Sequence, residues 1–218
     1  MIISVKDLGA DRCYADVFDL QTSIHAQRKK GEVPDTLLLL EHRPVYTMGS
    51  SASDDHVLYN AGELAERGID LVKTSRGGDV TYHGPGQLVA YPIVHLGEMG
   101  IKVLDFITGI EEVIIKTAAL FGIKAGRDER NRGVWVDNSK LAAMGIRVSR
   151  QVTMHGFALN VNTCLSHYSG IIACGLIDAG VTSIKQLTGF SVEMAEVKQN
   201  IVENFADVFG YDSVCTSA

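Results

Sequence analysis

The chain has 218 residues, 46% hydrophobic and 21% charged, an ordinary globular composition with length for one sizeable core. Its formal net charge of -6 excludes a protein built to coat nucleic acid or an anionic membrane, because both need a cationic surface. Any acidic partner must therefore meet a local basic patch.

Met1 to Asp7 carries no cationic segment followed by a long apolar run, and no apolar stretch is long enough to span a bilayer. A single domain over residues 1–218, cytoplasmic and without membrane or nucleic-acid partners, is the expectation. Cys13, Cys164, Cys174 and Cys215 are far apart with no Cys-x-x-Cys pair, so each is expected as a reduced thiol and not as part of a disulfide framework or zinc site.

In chain order, Cys13, Val17, Leu20 and Ile24 fall at helical spacing behind Asp11, which predicts an amphipathic helix capped by Asp11, ending near Gly31, with Cys13 as core packing. Thr36 to Leu40 is a continuous apolar run suited to a central strand, and Pro44 breaks the ladder. Ile69 to Lys73 and Leu88 to Leu96 read as strands flanking a loop, Ser75 to Gln87, with glycines at 77, 78, 84 and 86. Val103 to Phe121 is predicted as a long helix closed by Gly122. Gly133 to Val136, Leu141 to Val148 and Val152 to Val161, with a turn at Asp137-Asn138, predict an antiparallel meander whose second strand Lys140 opens. Ser191 precedes Met194, Val197, Ile201, Phe205 and Val208 at helical spacing, and Gly210 stands where a left-handed end residue is wanted.

Three segments carry chemistry. Arg76-Gly77-Gly78-Asp79-Val80-Thr81-Tyr82-His83, continuing to Gln87, concentrates polar and aromatic side chains among glycines in a chain with only 4 prolines. Glycine backbone can approach a ligand closely and cradle a carbonyl, carboxylate or phosphate, so a binding loop and a tight connection are equally compatible with the spacing. The segment matches neither the dinucleotide nor the phosphate-loop glycine pattern.

Cys174 ends an apolar run before Gly175, where a turn can present a thiol, although free cysteine is more often a small buried hydrophobe. Lys140 opens an otherwise apolar strand, so its ammonium could point into a pocket, but taken alone it reads better as an ordinary strand-end lysine. Together they make chemical sense. A thiol with a pKa of about 8.5 needs roughly 2 kcal/mol of differential interaction to reach about 7, which one close, partly desolvated ammonium supplies. His155, in the strand that ends at Asn160, is expected to be structural.

Several separated motifs resemble the lipoyl(octanoyl) transferase family, which shares its fold with biotin and lipoate protein ligases. They are Leu40-Glu41-His42 with Pro44-Val45-Tyr46-Thr47 and Gly49, the Arg76 to Gln87 loop, Tyr91-Pro92-Ile93, Gly133-Val134-Trp135-Val136, Lys140 to Gly145, His155 to Val161, and Cys174-Gly175. The resemblance covers most of the chain. It implies an α/β fold of α+β type, a mixed, largely antiparallel sheet flanked by helices as in the biotin/lipoate protein ligase catalytic domain.

It also implies an acyltransferase that takes octanoate from octanoyl acyl carrier protein onto Cys174 as a thioester and delivers it to a lysine of a lipoyl domain. The acceptors would be lipoyl domains of 2-oxoacid dehydrogenase complexes and the glycine cleavage H protein. Lys140 would serve the thiol, and Arg76 to His83, Ala143, Met144, Gly145, Gly156, Phe157 and Ala158 would surround the acyl group, with no metal and no nucleotide cofactor. Roughly seven buried alkyl carbons at about 0.8 kcal/mol each give about 5 kcal/mol of chain recognition. Ala173 stands where the family usually has proline, so a looser turn at Cys174 is expected. The alternatives are an ATP-using ligase independent of Cys174, a cysteine hydrolase using His83 or His155, and a nonenzymatic acyl-binding protein.

Overall fold

The structure, a computed structural model, describes residues 1–172 and 179–217. Its centre is the apolar run read from the sequence, which forms β2 (Asp35–His42). Leu37 and Leu39 face one core and Leu38 and Leu40 the other, all at most 1% exposed. Period-two alternation in a strand covered on both faces demands leucine on each side. Each such side chain contributes roughly 2 kcal/mol by burial.

β1 (Ile2–Arg12) runs parallel to β2 on one side, and β6 (Gln87–Ile93) pairs antiparallel on the other. β9 (Val152–Asn160) continues from β6, then β8 (Ser139–Ser149), both antiparallel, with β7 (Val134–Val136) also on β8. Two short strands close the sheet by parallel pairing, β10 (Gly180–Val181) on β8 and β11 (Ser213–Ser217) on β1. The sheet is thus mixed and mostly antiparallel. The expected meander is present, with Asp137 in its turn at φ 51°.

One face is covered by α4 (Val103–Leu120) and α6 (Met194–Phe209). Phe106, Ile110, Val113, Ile114 and Ala118 form the buried stripe of α4, and Val197, Ile201 and Phe205 that of α6. Gly122 (φ 73°) and Gly210 (φ 70°) take the left-handed conformation beyond their ends, as their positions predicted. Glu193, not Ser191, occupies the N-cap of α6.

The other face receives α1 (Tyr14–Lys29), whose buried side chains are Tyr14, Val17, Gln21, Ile24, His25 and Arg28. Half of that stripe is polar, so the apolar spacing understated it. Arg28 anchors the helix end, donating to Asp35 at 2.8 Å and to Glu98 at 3.1 Å. Asp11 does not cap α1. It is the last residue but one of β1, at φ 59°, and its carboxylate is taken by Arg43 at 3.0 Å, while a half-buried Cys13 fills the N-cap position without a side-chain bond.

A second sheet follows Pro44: β3 (Val45–Met48), with β4 (Asp70–Lys73) parallel and β5 (Val80–His83) antiparallel to it. It packs on α2 (Ala61–Glu66) through Tyr46, Leu64, Ile69, Val80 and Tyr82. The glycine-rich segment therefore contains a strand where a loop was expected, because Val80 to His83 finds its hydrogen-bond partners in β3 and is buried throughout. The next strand stops at Ile93, short of Leu96, since His95 caps α3 (Leu96–Met99) by accepting from the Glu98 N–H at 3.2 Å. The chain then turns into α5 (Ile184–Thr188) only after β10. Among the described residues no helix is long and apolar enough to cross a membrane.

Candidate active site

A cavity lies where the main sheet meets α1 and the small sheet. From the glycine-rich segment it is lined by Arg76, Gly78, Asp79, Val80, Thr81 and His83, from β8 by Ala143, Met144 and Gly145, and from β9 by His155, Gly156, Phe157 and Ala158. Sequence segments about 65 and 75 residues apart thus line one cavity. Gly145 and Gly156 face each other across the β8–β9 pair, leaving that part of the floor without side chains. Gly77 and Tyr82 are not part of the lining. Tyr82 alternates to the far side of β5, where it stacks on His167 at 5.1 Å and meets Tyr46 and Tyr168 edge-on.

The start of the segment is pinned by backbone bonds from Gly49 to Asp79, Ser50 to Arg76 and Ser51 to Gly78, at 3.2, 2.9 and 3.1 Å. A Cβ on Gly49 would sit 2.2 Å from the Gly78 carbonyl, so only glycine permits this crossing. Arg76 is buried at 7% exposure and is fixed through Nε to Thr47 Oγ1 at 3.1 Å and through Nη1 to the Gly77 carbonyl at 3.0 Å. Asp79 accepts from its neighbour's N–H, Val80, at 2.7 Å and pairs with His56 at 2.6 Å.

Lys140 is no ordinary strand-end lysine. It is 6% exposed, with Nζ donating to Asn131 Oδ1 at 2.6 Å and to the Arg132 carbonyl at 3.2 Å, 4.7 Å above the Trp135 ring. Asn131 also lines the cavity and so joins it to the ammonium. Burying an ammonium is costly unless it is hydrogen-bonded, which these partners achieve. Cys174, with Ala173 and Gly175, lies outside the described residues. The described chain stops at Ile172, whose N–H bonds the His56 carbonyl at 2.9 Å, and resumes at Ala179, two residues before Val181, which pairs with Lys140.

The cavity's histidines are neutral. Burial, helped by His42 nearby, pushes His83 down to about 3, and burial with Arg76 and Arg147 pushes His155 down to about 4. His83 Nδ1 donates to Gln87 Oε1 at 2.8 Å, because the Gln87 amide nitrogen already donates to Asn160 Oδ1 at 3.0 Å. His42, pushed by burial to about 4, donates through Nδ1 to the Arg12 carbonyl at 3.0 Å and accepts from Tyr91 at 2.8 Å. Imidazoles this weakly basic are poor proton acceptors near neutrality, which weighs against a histidine-activated hydrolase.

His155 was expected to be structural, yet it lines the cavity. It holds φ 60° inside β9, and its backbone N–H turns to Gln21 Oε1 at 3.0 Å. Its Nε2 lies 3.3 Å from Ser75 Oγ. Tyr14, Tyr91 and Asn131 are lining residues that the sequence did not single out as site residues. No spacing signal marked them: Tyr91 sits in a strand its apolar run already explained, Asn131 in a loop, and Tyr14 one residue off the Cys13, Val17, Leu20 and Ile24 stripe. Among the described residues no group of three or more His, Cys, Asp or Glu side chains is placed to hold a metal ion.

A protein named octanoyltransferase from Alkaliphilus metalliredigens is 43% identical over 218 residues, covering 99% of each chain. Another of that name, from Caldicellulosiruptor saccharolyticus, is 46% identical over 199 residues, covering 90% of this chain and 85% of its own. Among solved structures, a lipoate-protein ligase A bound with ATP superposes with a TM-score of 0.83 at 13% identity, over 100% of this chain and 90% of its own. The biotin protein ligase of Aquifex aeolicus does so at 0.52 and 12%, over 96% and 68%. At those identities the structures speak for the fold alone. With residues 13–206 matched by the family described as the lipoyl protein ligase A/B catalytic domain, the chain belongs to that family.

Proposed function

We propose that the protein is an octanoyltransferase of protein lipoylation, a single cytoplasmic catalytic domain working through a thioester on Cys174. The sequence relatives carry that activity in their name at 43% and 46% identity over most of the chain. The observation that carries the mechanism is Lys140, a buried ammonium tied through Asn131 to the cavity and flanked by the strand that follows the Cys174 segment.

In the first half-reaction the Cys174 thiolate attacks the carbonyl of octanoyl acyl carrier protein, and the carrier thiol leaves with a proton. In the second, the ε-amine of a lipoyl-domain lysine attacks the Cys174 thioester, the amide forms, and the thiol returns. Lys140 favours the thiolate by its charge and relays the proton at Nζ. The acyl chain lies along Ala143 to Gly145 and Gly156 to Ala158, with Arg76 to Thr81 over it. A thioester donor is already activated, so the scheme needs neither nucleotide nor metal. Acceptors are lipoyl domains of 2-oxoacid dehydrogenase complexes and the glycine cleavage H protein.

Intact-mass spectrometry tests this directly. Octanoyl carrier protein should add one octanoyl group, removable by hydroxylamine, and Cys174→Ala should abolish it. Transfer from free octanoate that requires ATP, or steady release of octanoate without an acceptor, would replace this scheme by a ligase or a hydrolase.

A further inference from the structure

Tyr14, at the start of α1, lines the acyl cavity and also a second one. That second cavity, of about 120 Å³, lies between α1 and β4, walled by Tyr14, Ala15, Phe18 and Val72 and reaching the exposed side chains of Asp19 and Lys73. The Tyr14 ring is 4% exposed and wedged between two groups. On the side of the first cavity it stacks on His83 at 6.4 Å and leans on His42 at 5.2 Å, and on the other it stacks on Phe18 at 6.4 Å. Its hydroxyl is held by Thr74 at 3.2 Å, which fixes the ring between the two cavities.

The strand order gives the cavity a direction. Lys140 and Asn131 stand at the β7–β8 edge, whereas Tyr14 packs over β6 and β2, as its contacts with His42 and its place beside Tyr91 require. From β8 to β6 is two strand spacings, about 10 Å across the sheet, and β2 is one spacing further, with the register setting Lys140 and Tyr91 apart along the strands as well. Tyr14 therefore closes the end of the cavity far from Lys140.

We infer that Tyr14 is the specificity gate of the acyl site, stopping the chain at octanoyl length and closing a preformed apolar exit between α1 and β4. This rests on the proposed octanoyl transfer. Shortening the ring joins the two cavities and gives longer chains an apolar path to solvent, each further buried methylene adding its share of transfer energy.

The test is kcat/KM for transfer from acyl carrier protein loaded with octanoyl, decanoyl or dodecanoyl groups. Tyr14→Leu should raise the dodecanoyl-to-octanoyl ratio at least tenfold, mostly through KM for the long donor. Tyr14→Phe, which keeps the ring and loses only the Thr74 bond, should keep the wild-type ratio. Val72→Trp in the Tyr14→Leu background should refill the exit and restore octanoyl preference. If Tyr14→Leu does not fold by circular dichroism, Tyr14→Met carries the same expectation. An unchanged ratio in a folded variant, or no reversal by Val72→Trp, overturns the gate while octanoyl transfer stands. A wild-type protein that transfers no acyl group overturns both.

Discussion

At the scale of single residues, the decisive feature is the burial of Lys140. Lys140 is held by Asn131, Arg132 and Trp135, and a scaffold that needed only a strand end would not desolvate an ammonium. Lys140→Ala is expected to lower acylation at neutral pH by at least about 100-fold with donor binding little changed. If Lys140 favours the proposed thiolate, the variant's Cys174 is less ionised near neutrality, so raising the pH to about 9 should recover part of the rate. Stopped-flow acylation across that range checks both, and a loss that is independent of pH would remove Lys140 from thiol activation.

The buried histidines make a separate prediction about stability. His42, His83 and His155 lie near 4, 3 and 4 in the folded protein, below the roughly 6.5 of an unfolded chain. Between those values the unfolded state binds more protons, so stability is full above about pH 6.5 and is lost as pH falls toward about 4. Each histidine removes roughly 1.4 kcal/mol per pH unit in that window. Urea midpoints should drop between pH 7 and pH 5, and coincident transitions would contradict the burial argument.

At the scale of elements, the β9 strand departs from regular pairing where the site needs it. Its ladder with β6 ends at Ala90–Phe157, and the next residues are Gly156 and a left-handed His155. A Cβ on Gly156 would lie 2.1 Å from the Ala90 carbonyl oxygen, which is backbone and cannot swing away. Gly156→Ala should therefore cost about 1–3 kcal/mol by overpacking and narrow the acyl slot. Chemical denaturation together with octanoyl turnover measures the two effects, and a variant of wild-type stability would refute the close approach. The pattern of alternating apolar residues announced β9 as a strand, but a kink of one residue leaves no periodic trace. β5 was hidden for a related reason: four strand residues between glycines look like loop until β3 is present to pair with them.

At the scale of the whole molecule, the proposed octanoyl carrier has to dock on a protein of net charge -6, where an acidic docking face needs a local basic patch. Several of its cations are already spent: Arg127 pairs with Glu111 at 3.1 Å and Glu112 at 2.7 Å, and Arg130 with Asp128 at 2.7 Å. Lys29, Arg147 and Arg150 instead gather where the end of α1 meets the β8–β9 turn, and burial together with the two arginines pushes Lys29 down. Arg147 also bears on His155 in the cavity, which puts the patch beside the site. Replacing Arg147 and Arg150 by glutamate should raise KM for octanoyl carrier protein about tenfold at low salt. Turnover of a small octanoyl thioester should change little, and the difference should shrink as salt screens the surface charges. Equal losses on both donors would mean that the patch serves the fold and not the carrier.

The one-dimensional pattern by itself determined the central strand, the two long helices on one face and the meander, because burial there follows a local period that any reader of the residues can count. It also marked the glycine-rich segment and Lys140 as unusual, and the ordered set of motifs was enough to indicate the family. Only the tertiary structure decided that β8, β9 and residues 76–83 wall one cavity, that Tyr82 faces away from it, and that Tyr14, Tyr91 and Asn131 belong to it. The short edge strands and the second sheet were likewise settled there. Such pairings join residues far apart in the chain, and their energy comes from partners that no local window of sequence contains.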